Sequence, residues 1–150
     1  MNDTASPTKL VIRRTLDVPI ARVFEAWTTP EILKKWIGGH EVTVASASMD
    51  LREGGAYRLE FQPAEGEAVV VGGTFREIRK PERLSFTWTW EEDEGTPVHE
   101  TLVTLDLRAA GNRTDLVLTH ENFVDADSRD RHEVGWSQSF EKLAALVTAA

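Results

Sequence analysis

Histidine is the side chain that most readily moves a proton near neutral pH, and this sequence has four of them. They are His40, His99, His120 and His132, and no pair has the spacing of a metal-binding motif such as His-Glu-x-x-His. Cysteine is absent, which excludes disulfides, a cysteine nucleophile and thiolate metal sites. No Gly-x-Ser-x-Gly motif and no glycine-rich phosphate loop occurs. We therefore expect no metal, no cofactor and no standard catalytic constellation.

His120 is the histidine whose predicted position gives it a candidate role. It is expected on the inward face of a strand, near the end of that strand. A structural histidine is the commoner case, but the same ring could bind a ligand or act as an acid–base catalyst. Its partner in catalysis would be Tyr57 or an inward-facing carboxylate. The carboxylate candidates are Glu77, Glu100 and Glu121. His120 is thus the single catalytic candidate; enzymatic activity stays open, and the sequence favours a protein without it.

Aromatic side chains offer a second kind of chemistry, which is the binding of an apolar ligand. The candidate ligand-contacting residues are Trp36, Tyr57, Phe61, Trp88, Trp90, His120, Trp136 and Phe140. These rings could simply fill a core, where each is strongly stabilising, or they could line a cavity with a few polar tips. Periodicity does not separate a full core from a hollow one, and the residues alone favour the full core. A ligand would enter between the loop after Trp36 and the loops around residues 63–67 and 122–126.

A helix is predicted for the C-terminal stretch from residue 127 to residue 148. Its large apolar residues recur every three or four positions and so share one face. They are Trp136, Phe140, Leu143 and Val147. Asp127, Ser128 and Asp130 would supply the N-cap and a negatively charged first turn. A helix with one apolar face must bury that face against a broad apolar surface.

A sheet of about six to seven strands is predicted to supply that surface. Two short helices, at residues 21–28 and 31–37, follow the first strand. The strands are predicted at residues 10–18, 41–50, 56–62, 68–78, 84–90, 99–108 and 114–121. Because short turns join consecutive strands, the strands should pair as an antiparallel meander. The sequence therefore predicts an α+β fold, in which a curved antiparallel sheet wraps around the long C-terminal helix.

Three local features carry their own expectations. Arg14 interrupts the apolar face of the first strand, either as an edge residue that reaches solvent or as a buried guanidinium paired with a carboxylate. The pair Gly72-Gly73 inside a strand indicates a bulge or a strong bend. The acidic stretch at residues 91–97 is interpreted as the solvated end of a hairpin.

The 150 residues fit one domain, predicted for residues 9–150, after a flexible N-terminal tail at residues 1–8. The formal net charge of -8 opposes binding to nucleic acid and to anionic membrane surfaces. No stretch has the length of a transmembrane helix, and the first residues lack the apolar region of a signal peptide. We therefore expect a cytoplasmic protein without nucleic-acid or membrane partners.

Several short motifs give the chain a resemblance to a known family. They are Val23-Phe24-Glu25-Ala26-Trp27-Thr28, Pro30-Glu31 with Trp36, the stretch from Asp50 to Tyr57, Gly73-Thr74-Phe75, Pro81-Glu82, Phe86-Thr87-Trp88, the stretch from Thr114 to His120, and Gly135-Trp136. In this order they cover nearly the whole chain. Together they resemble the family named after the activator of the heat-shock-protein-90 ATPase, within the START-like (SRPBCC, helix-grip, Bet v-like) superfamily.

The resemblance implies a helix-grip fold with a cavity between the sheet and the C-terminal helix. It also makes a homodimer a reasonable expectation. Superfamily members include carriers of hydrophobic small molecules, self-sacrificing resistance proteins, polyketide cyclases and chaperone cofactors. The function expected first is non-catalytic binding of a hydrophobic or aromatic small molecule in that cavity. The alternatives are a stress-related protein-interaction module whose partner is a chaperone, and a cyclase- or hydrolase-type enzyme that uses His120.

Overall fold

The structure is a computed structural model that describes residues 8–91 and 99–148. Seven strands and three helices lie in these ranges. The strands are β1 (Lys9–Leu16), β2 (Val42–Met49), β3 (Ala56–Pro63), β4 (Val69–Arg79), β5 (Arg83–Trp90), β6 (Thr101–Ala110) and β7 (Arg113–Glu121). The helices are α1 (Ile20–Thr28), α2 (Pro30–Leu33) and α3 (Ala126–Thr148). The predicted α+β class, the strand order and the long C-terminal helix are confirmed.

The strands form one antiparallel sheet in the order β1-β7-β6-β5-β4-β3-β2. Strands β2 to β7 follow each other as a meander, while β1 pairs with β7 at the far edge. The segment with α1 and α2 therefore connects one edge of the sheet to the other. This connection places α1 against α3, while α2 packs against α1 and β2.

The sequence suggested a bulge or a strong bend at Gly72-Gly73. The register shift in β4 lies farther along the strand, between Phe75 and Glu77. Gly72 pairs with Thr89 in regular register. The reason for a glycine at Gly73 is close approach, because a Cβ there would lie 2.1 Å from the carbonyl oxygen of Thr87. A second register shift interrupts β2 between Val44 and Ser46. These irregularities let the sheet curve around the helix.

Helix α3 packs its predicted apolar stripe against the concave face of the sheet. Trp136, Phe140, Leu143 and Val147 are all buried, as the periodicity predicted. The predicted N-cap was wrong, because the helix begins earlier, at Ala126. The carboxylate of Asp125 caps it by accepting a hydrogen bond of 2.8 Å from the amide of Ser128.

The two short helices contribute apolar side chains to the core. Helix α1 buries Val23, Phe24, Ala26 and Trp27. Helix α2 ends at Leu33, which is shorter than predicted, and a turn continues the chain to Trp36. The indole nitrogen of Trp36 donates a hydrogen bond of 3.0 Å to the carbonyl of Ala26, so Trp36 belongs to the packed corner between the two helices.

The remaining local predictions have mixed outcomes. Arg14 is exposed and bonds the backbone of Arg13, which confirms the edge interpretation. Of the predicted tail, residues 1–7 lie outside the described ranges, while the carbonyl of Thr8 accepts a hydrogen bond from Phe123. Residues 92–98, which hold most of the acidic stretch, also lie outside them. Among the described helices, none combines the length and the apolar character that crossing a membrane requires.

Candidate functional site

A cavity of about 510 Å³ lies between the sheet and the N-terminal half of α3. This volume is within the usual range for small-molecule sites. Its walls come from the loop after α2, the ends of β3 and β5, the starts of β4 and β6, the loop before α3, and α3 itself. The lining residues are Ile37, Gly38, Gly39, Val42, Phe61, Pro63, Val69, Trp88, Trp90, His99, Thr101, Phe123, Val124, Ser128, Arg131, His132, Gly135, Trp136 and Ser139.

The space is hollow because α3 presents small side chains to it. Ser128, Gly135 and Ser139 face the cavity from the helix, together with His132 and Trp136. A Cβ built on Gly135 would have no atom within 4 Å, so this position opens directly onto empty space. Further along the helix the large side chains resume, and the layers close on each other.

The inner half of the space between the layers is filled. A pocket of only about 20 Å³ remains there, which is room for about one water molecule. Its walls include Tyr57, Phe75 and Phe86, whose rings pack with centroids 5.4 to 6.2 Å apart. Trp88 and Ile37 line both this pocket and the cavity, and so separate the filled half from the hollow half.

The eight predicted ligand-contacting residues divide into two groups. Phe61, Trp88, Trp90 and Trp136 line the cavity. The others lie behind its walls. Tyr57 donates its hydroxyl to the carbonyl of Thr87, and burial raises the pKa of this tyrosine well above its ordinary value. Trp36 and Phe140 pack within the core, with ring centroids 6.4 Å apart, and His120 is fully buried.

Two partners fix the protonation state of the His120 ring. The indole nitrogen of Trp136 donates to Nδ1 at 3.0 Å, so Nδ1 carries no proton. The proton of the neutral ring is then on Nε2, which lies 2.7 Å from the Thr101 hydroxyl. That hydroxyl in turn donates to the carbonyl of Trp88 at 2.8 Å. Burial and the neighbouring His132 hold the pKa of His120 well below its usual value.

His132, on α3, also accepts from a tryptophan indole, but with the roles of its two ring nitrogens exchanged relative to His120. Its Nδ1 donates to the carbonyl of Ser128 at 2.8 Å, and its Nε2 accepts from the indole nitrogen of Trp90 at 3.0 Å. Burial lowers its pKa, the bond to Ser128 opposes that shift, and the charge of Arg131 adds to it. Because the His120 and His132 rings are only 5.2 Å apart, a charge on either one disfavours a charge on the other.

The two neutral histidines are therefore structural groups that each hold a tryptophan in place. Neither ring has a nitrogen free to exchange a proton with a ligand. Two of the three candidate carboxylate partners of His120 form ion pairs elsewhere: Glu77 with Arg79 and Arg83, and Glu100 with Arg76. Among the described residues, no cluster of three or more histidines and carboxylates could hold a metal ion.

Several hydrogen bonds join the loop after α2 to α3. The hydroxyl of Ser139 donates to the carbonyl of Gly38 and accepts from its amide, both at 2.9 Å. Gln138 accepts from the amide of His40 at 2.9 Å. Lys142 donates to the carbonyl of Gly39 at 3.1 Å, and burial lowers the pKa of this lysine. These hydrogen bonds hold Gly38 and Gly39 in place at one side of the cavity mouth.

The opposite side of the mouth is formed by β4, the loop before α3 and the first turns of the helix. Val69 and Val124 present exposed apolar surface there, 43% and 63% accessible. Arg131 and His99 supply the polar part of this rim. The loop after Trp36 and the two loops that the sequence indicated each contribute residues to the lining, among them Gly38, Pro63 and Val124.

Sequence reasoning missed the polar residues of the cavity, chiefly His132, Thr101 and Ser128. A signal for His132 was present, since it precedes Trp136 by four residues and so shares its helix face. The same spacing connects Ser128 to His132. No comparable signal marked Thr101, whose bond to His120 depends on the pairing of β6 with β7.

The five tryptophans form one continuous chain of ring contacts through this region. Trp36 contacts Trp27 at 4.7 Å, and Trp27 stacks on Trp136 at 5.9 Å. Trp136 contacts Trp88 at 5.2 Å, and Trp88 contacts Trp90 at 5.6 Å. This chain runs from the packed corner of α1 and α2 to the cavity wall.

The comparisons with known proteins agree on a family. The model of the family described as "Activator of Hsp90 ATPase homolog 1-like protein" matches residues 17–148. The crystal structure of protein CV1439 from Chromobacterium violaceum is similar to this chain with a TM-score of 0.87 and 30% identity, covering 95% of this chain and 99% of that one.

Two further crystal structures show the same similarity. The AHSA1 protein from Silicibacter pomeroyi has a TM-score of 0.82 and 27% identity, over 93% of this chain and 96% of its own. Protein NE0264 from Nitrosomonas europaea has a TM-score of 0.76 and 26% identity, over 93% and 94%. A search of curated proteins finds no match.

Proposed function

The chain belongs to the family of Activator of Hsp90 ATPase homolog 1-like proteins, and from that premise we propose that it binds a hydrophobic or aromatic small molecule without catalysing a reaction. The observation that carries the proposal is the cavity of about 510 Å³. Four of the aromatic residues predicted to contact a ligand line its wall: Phe61, Trp88, Trp90 and Trp136. Apolar walls with a few polar groups are typical of ligand pockets.

The state of the polar groups supports binding over catalysis. Both rings that could move a proton, His120 and His132, are engaged with protein partners on both nitrogens. Tyr57, the other suggested acid–base group, is bonded to Thr87 behind the cavity wall. These contacts favour the binding proposal over the enzyme alternative.

The test uses a variant that fills the cavity, Gly135→Leu. A Cβ at this position would meet no atom within 4 Å, so the new side chain should extend into the cavity, and removing a glycine from a helix interior should add roughly 0.5–1 kcal/mol of stability. Ala145→Leu places the same side chain on the exposed face of α3 and serves as the control.

The measurement is titration with the fluorescent apolar compound N-phenyl-1-naphthylamine, followed by fluorescence and by thermal unfolding. The natural protein and Ala145→Leu should bind it saturably and melt at a higher temperature in its presence, since a ligand of the folded state stabilises that state. Gly135→Leu should fold at least as stably and lose the binding. Equal binding by both variants, or none by the natural protein, would contradict the proposal.

The family description also favours a second candidate, a protein-interaction module that acts on a chaperone ATPase. This role needs a surface and not a cavity. Adding the protein to an Hsp90-type chaperone and measuring ATP hydrolysis distinguishes the two. Stimulation that persists in Gly135→Leu would support the module, and an unchanged hydrolysis rate would count against it.

A further inference from the structure

The charge of the cavity lining is opposite in sign to that of the chain. The whole chain carries a formal net charge of -8. Among the described residues that line the cavity there is no aspartate and no glutamate, and the one side chain with a permanent formal charge is Arg131. Within the described part of the lining, a small molecule therefore meets one permanent cation and no carboxylate.

In the part of the chain that the structure describes, the interior of the cavity offers no accessible side-chain donor without a partner. The indole nitrogens of Trp90 and Trp136 donate to histidines, and the hydroxyls of Thr101 and Ser139 donate to backbone carbonyls. The indole nitrogen of Trp88 has no partner among the described residues, but protein atoms cover it. A charged or strongly polar group placed at this depth would lose its hydration without compensation. The inner part of the site therefore suits an apolar or aromatic body.

Free polar groups are found at the mouth instead. The side chain of Arg131 is 72% exposed, and its Nε lies 3.4 Å from a carboxylate oxygen of Asp127. Within the described residues its two terminal nitrogens have no hydrogen bond, and neither does the hydroxyl of Ser128, one helical turn away. A guanidinium with free terminal nitrogens is suited to bind a carboxylate, sulfonate or phosphate group.

From this division we infer that the ligand is an amphipathic acid, bound with its apolar or aromatic body inside and its anionic group at the mouth beside Arg131. The inference rests on the proposed function, because it assigns a chemical class and an orientation to a ligand of the same cavity. Arg131 is then a specificity-determining residue that distinguishes an acid from a neutral molecule of the same shape.

Two compounds with a common body test this inference. 8-Anilino-1-naphthalenesulfonate and N-phenyl-1-naphthylamine share the anilinonaphthalene group, and only the first carries a sulfonate. The natural protein should bind both, and each compound should displace the other. Arg131→Gln should weaken binding of the sulfonate by about fivefold, the size expected for one exposed ion pair, and leave binding of the neutral compound unchanged.

The control is Arg113→Gln, which removes another exposed arginine that pairs with an aspartate. Arg113 begins β7, at the opposite end of the strand from the cavity, so neither affinity should change. If Arg131→Gln leaves the sulfonate affinity unchanged, or weakens both compounds equally, the assigned orientation is wrong while the cavity remains a binding site. If the natural protein binds neither compound, the proposed function itself fails.

Discussion

The indole of Trp136 decides which nitrogen of His120 is protonated. A ring that accepts at Nδ1 and donates from Nε2 is fully satisfied in its neutral form. Protonation would place a new N–H against the N–H of Trp136. The arrangement explains a buried histidine beside a cavity without giving it a role in catalysis.

We expect Trp136→Phe to destabilise the protein by about 1–3 kcal/mol, because it keeps an aromatic ring in place and leaves the buried Nδ1 of His120 without a donor. Chemical denaturation measures the change. Phe140→Leu, which alters a buried ring that makes no hydrogen bond, gives the cost of packing alone. An unchanged free energy of unfolding for Trp136→Phe would mean that the bond to His120 contributes nothing.

Alternation along β5 and β7 predicted that Trp88 and His120 face inward, because the side chains of a strand point to opposite faces in turn. It did not predict what His120 would touch. Thr101 and Trp136 are 19 and 16 residues away, and they meet the ring only through strand pairing and helix docking. The face of a residue is local information, whereas its hydrogen-bond partner depends on the tertiary structure.

At the scale of elements, α3 has two halves with different functions. The C-terminal half fills the core with Phe140, Leu143 and Val147, whereas the N-terminal half lines the cavity with Ser128, His132 and Gly135. The position of its first turn sets where the polar rim lies. The cap at Asp125 is therefore part of the architecture of the site.

Asp125→Ala should cost about 0.5–2 kcal/mol, because it removes the acceptor for the Ser128 amide in the first turn of the helix. The shift in Tm reports the cost. Asp127→Ala removes a carboxylate from the same turn without removing the cap, and its effect should be smaller. Equal losses for the two variants would show that charge near the helix end, and not capping, stabilises the turn.

Sequence reasoning found the helix and its stripe but not this cap. Asp125, Asp127, Ser128 and Asp130 are all favourable cap residues, so residue type alone could not choose among them. Residue types likewise did not predict the end of α2, because the pattern that favours a helix continued to residue 37. There the docking of Trp36 against Ala26 ended the helix early.

At the scale of the whole molecule, two neutral histidines, the buried His120 and the half-buried His132, make stability depend on pH. The pKa of each is lowered on folding, so between the folded value and about 6.5 the unfolded chain binds more protons than the folded one. Stability should therefore be highest above that range and fall as the pH drops through it.

The expected slope is up to about 1.4 kcal/mol per pH unit for each histidine that titrates only in the unfolded chain. Urea denaturation between about pH 8 and pH 5 measures it. His132→Gln should reduce the slope, because one of the two groups is removed. A free energy of unfolding that is constant, or that rises as the pH falls, would contradict the assignment of both rings as neutral.

The overall fold was predictable because most of the connections between β2 and β7 are short and the apolar patterns are regular. The family motifs supported the same architecture. Whether the space between sheet and helix was full or hollow was not predictable. That outcome depends on a volume difference made by Gly135, Ser128 and Ser139, each small among the large rings. Periodicity predicts that a side chain faces inward, but it does not predict how much of the interior volume that side chain fills.

The chain of five touching indoles has an optical consequence. Rings 4.7 to 5.9 Å apart transfer electronic excitation to one another far faster than they emit light. The tryptophans therefore behave as one shared chromophore. A molecule that quenches Trp90 at the cavity wall dims Trp36 in the far corner as well, so the total emission of the protein reports on what occupies a single end of the chain.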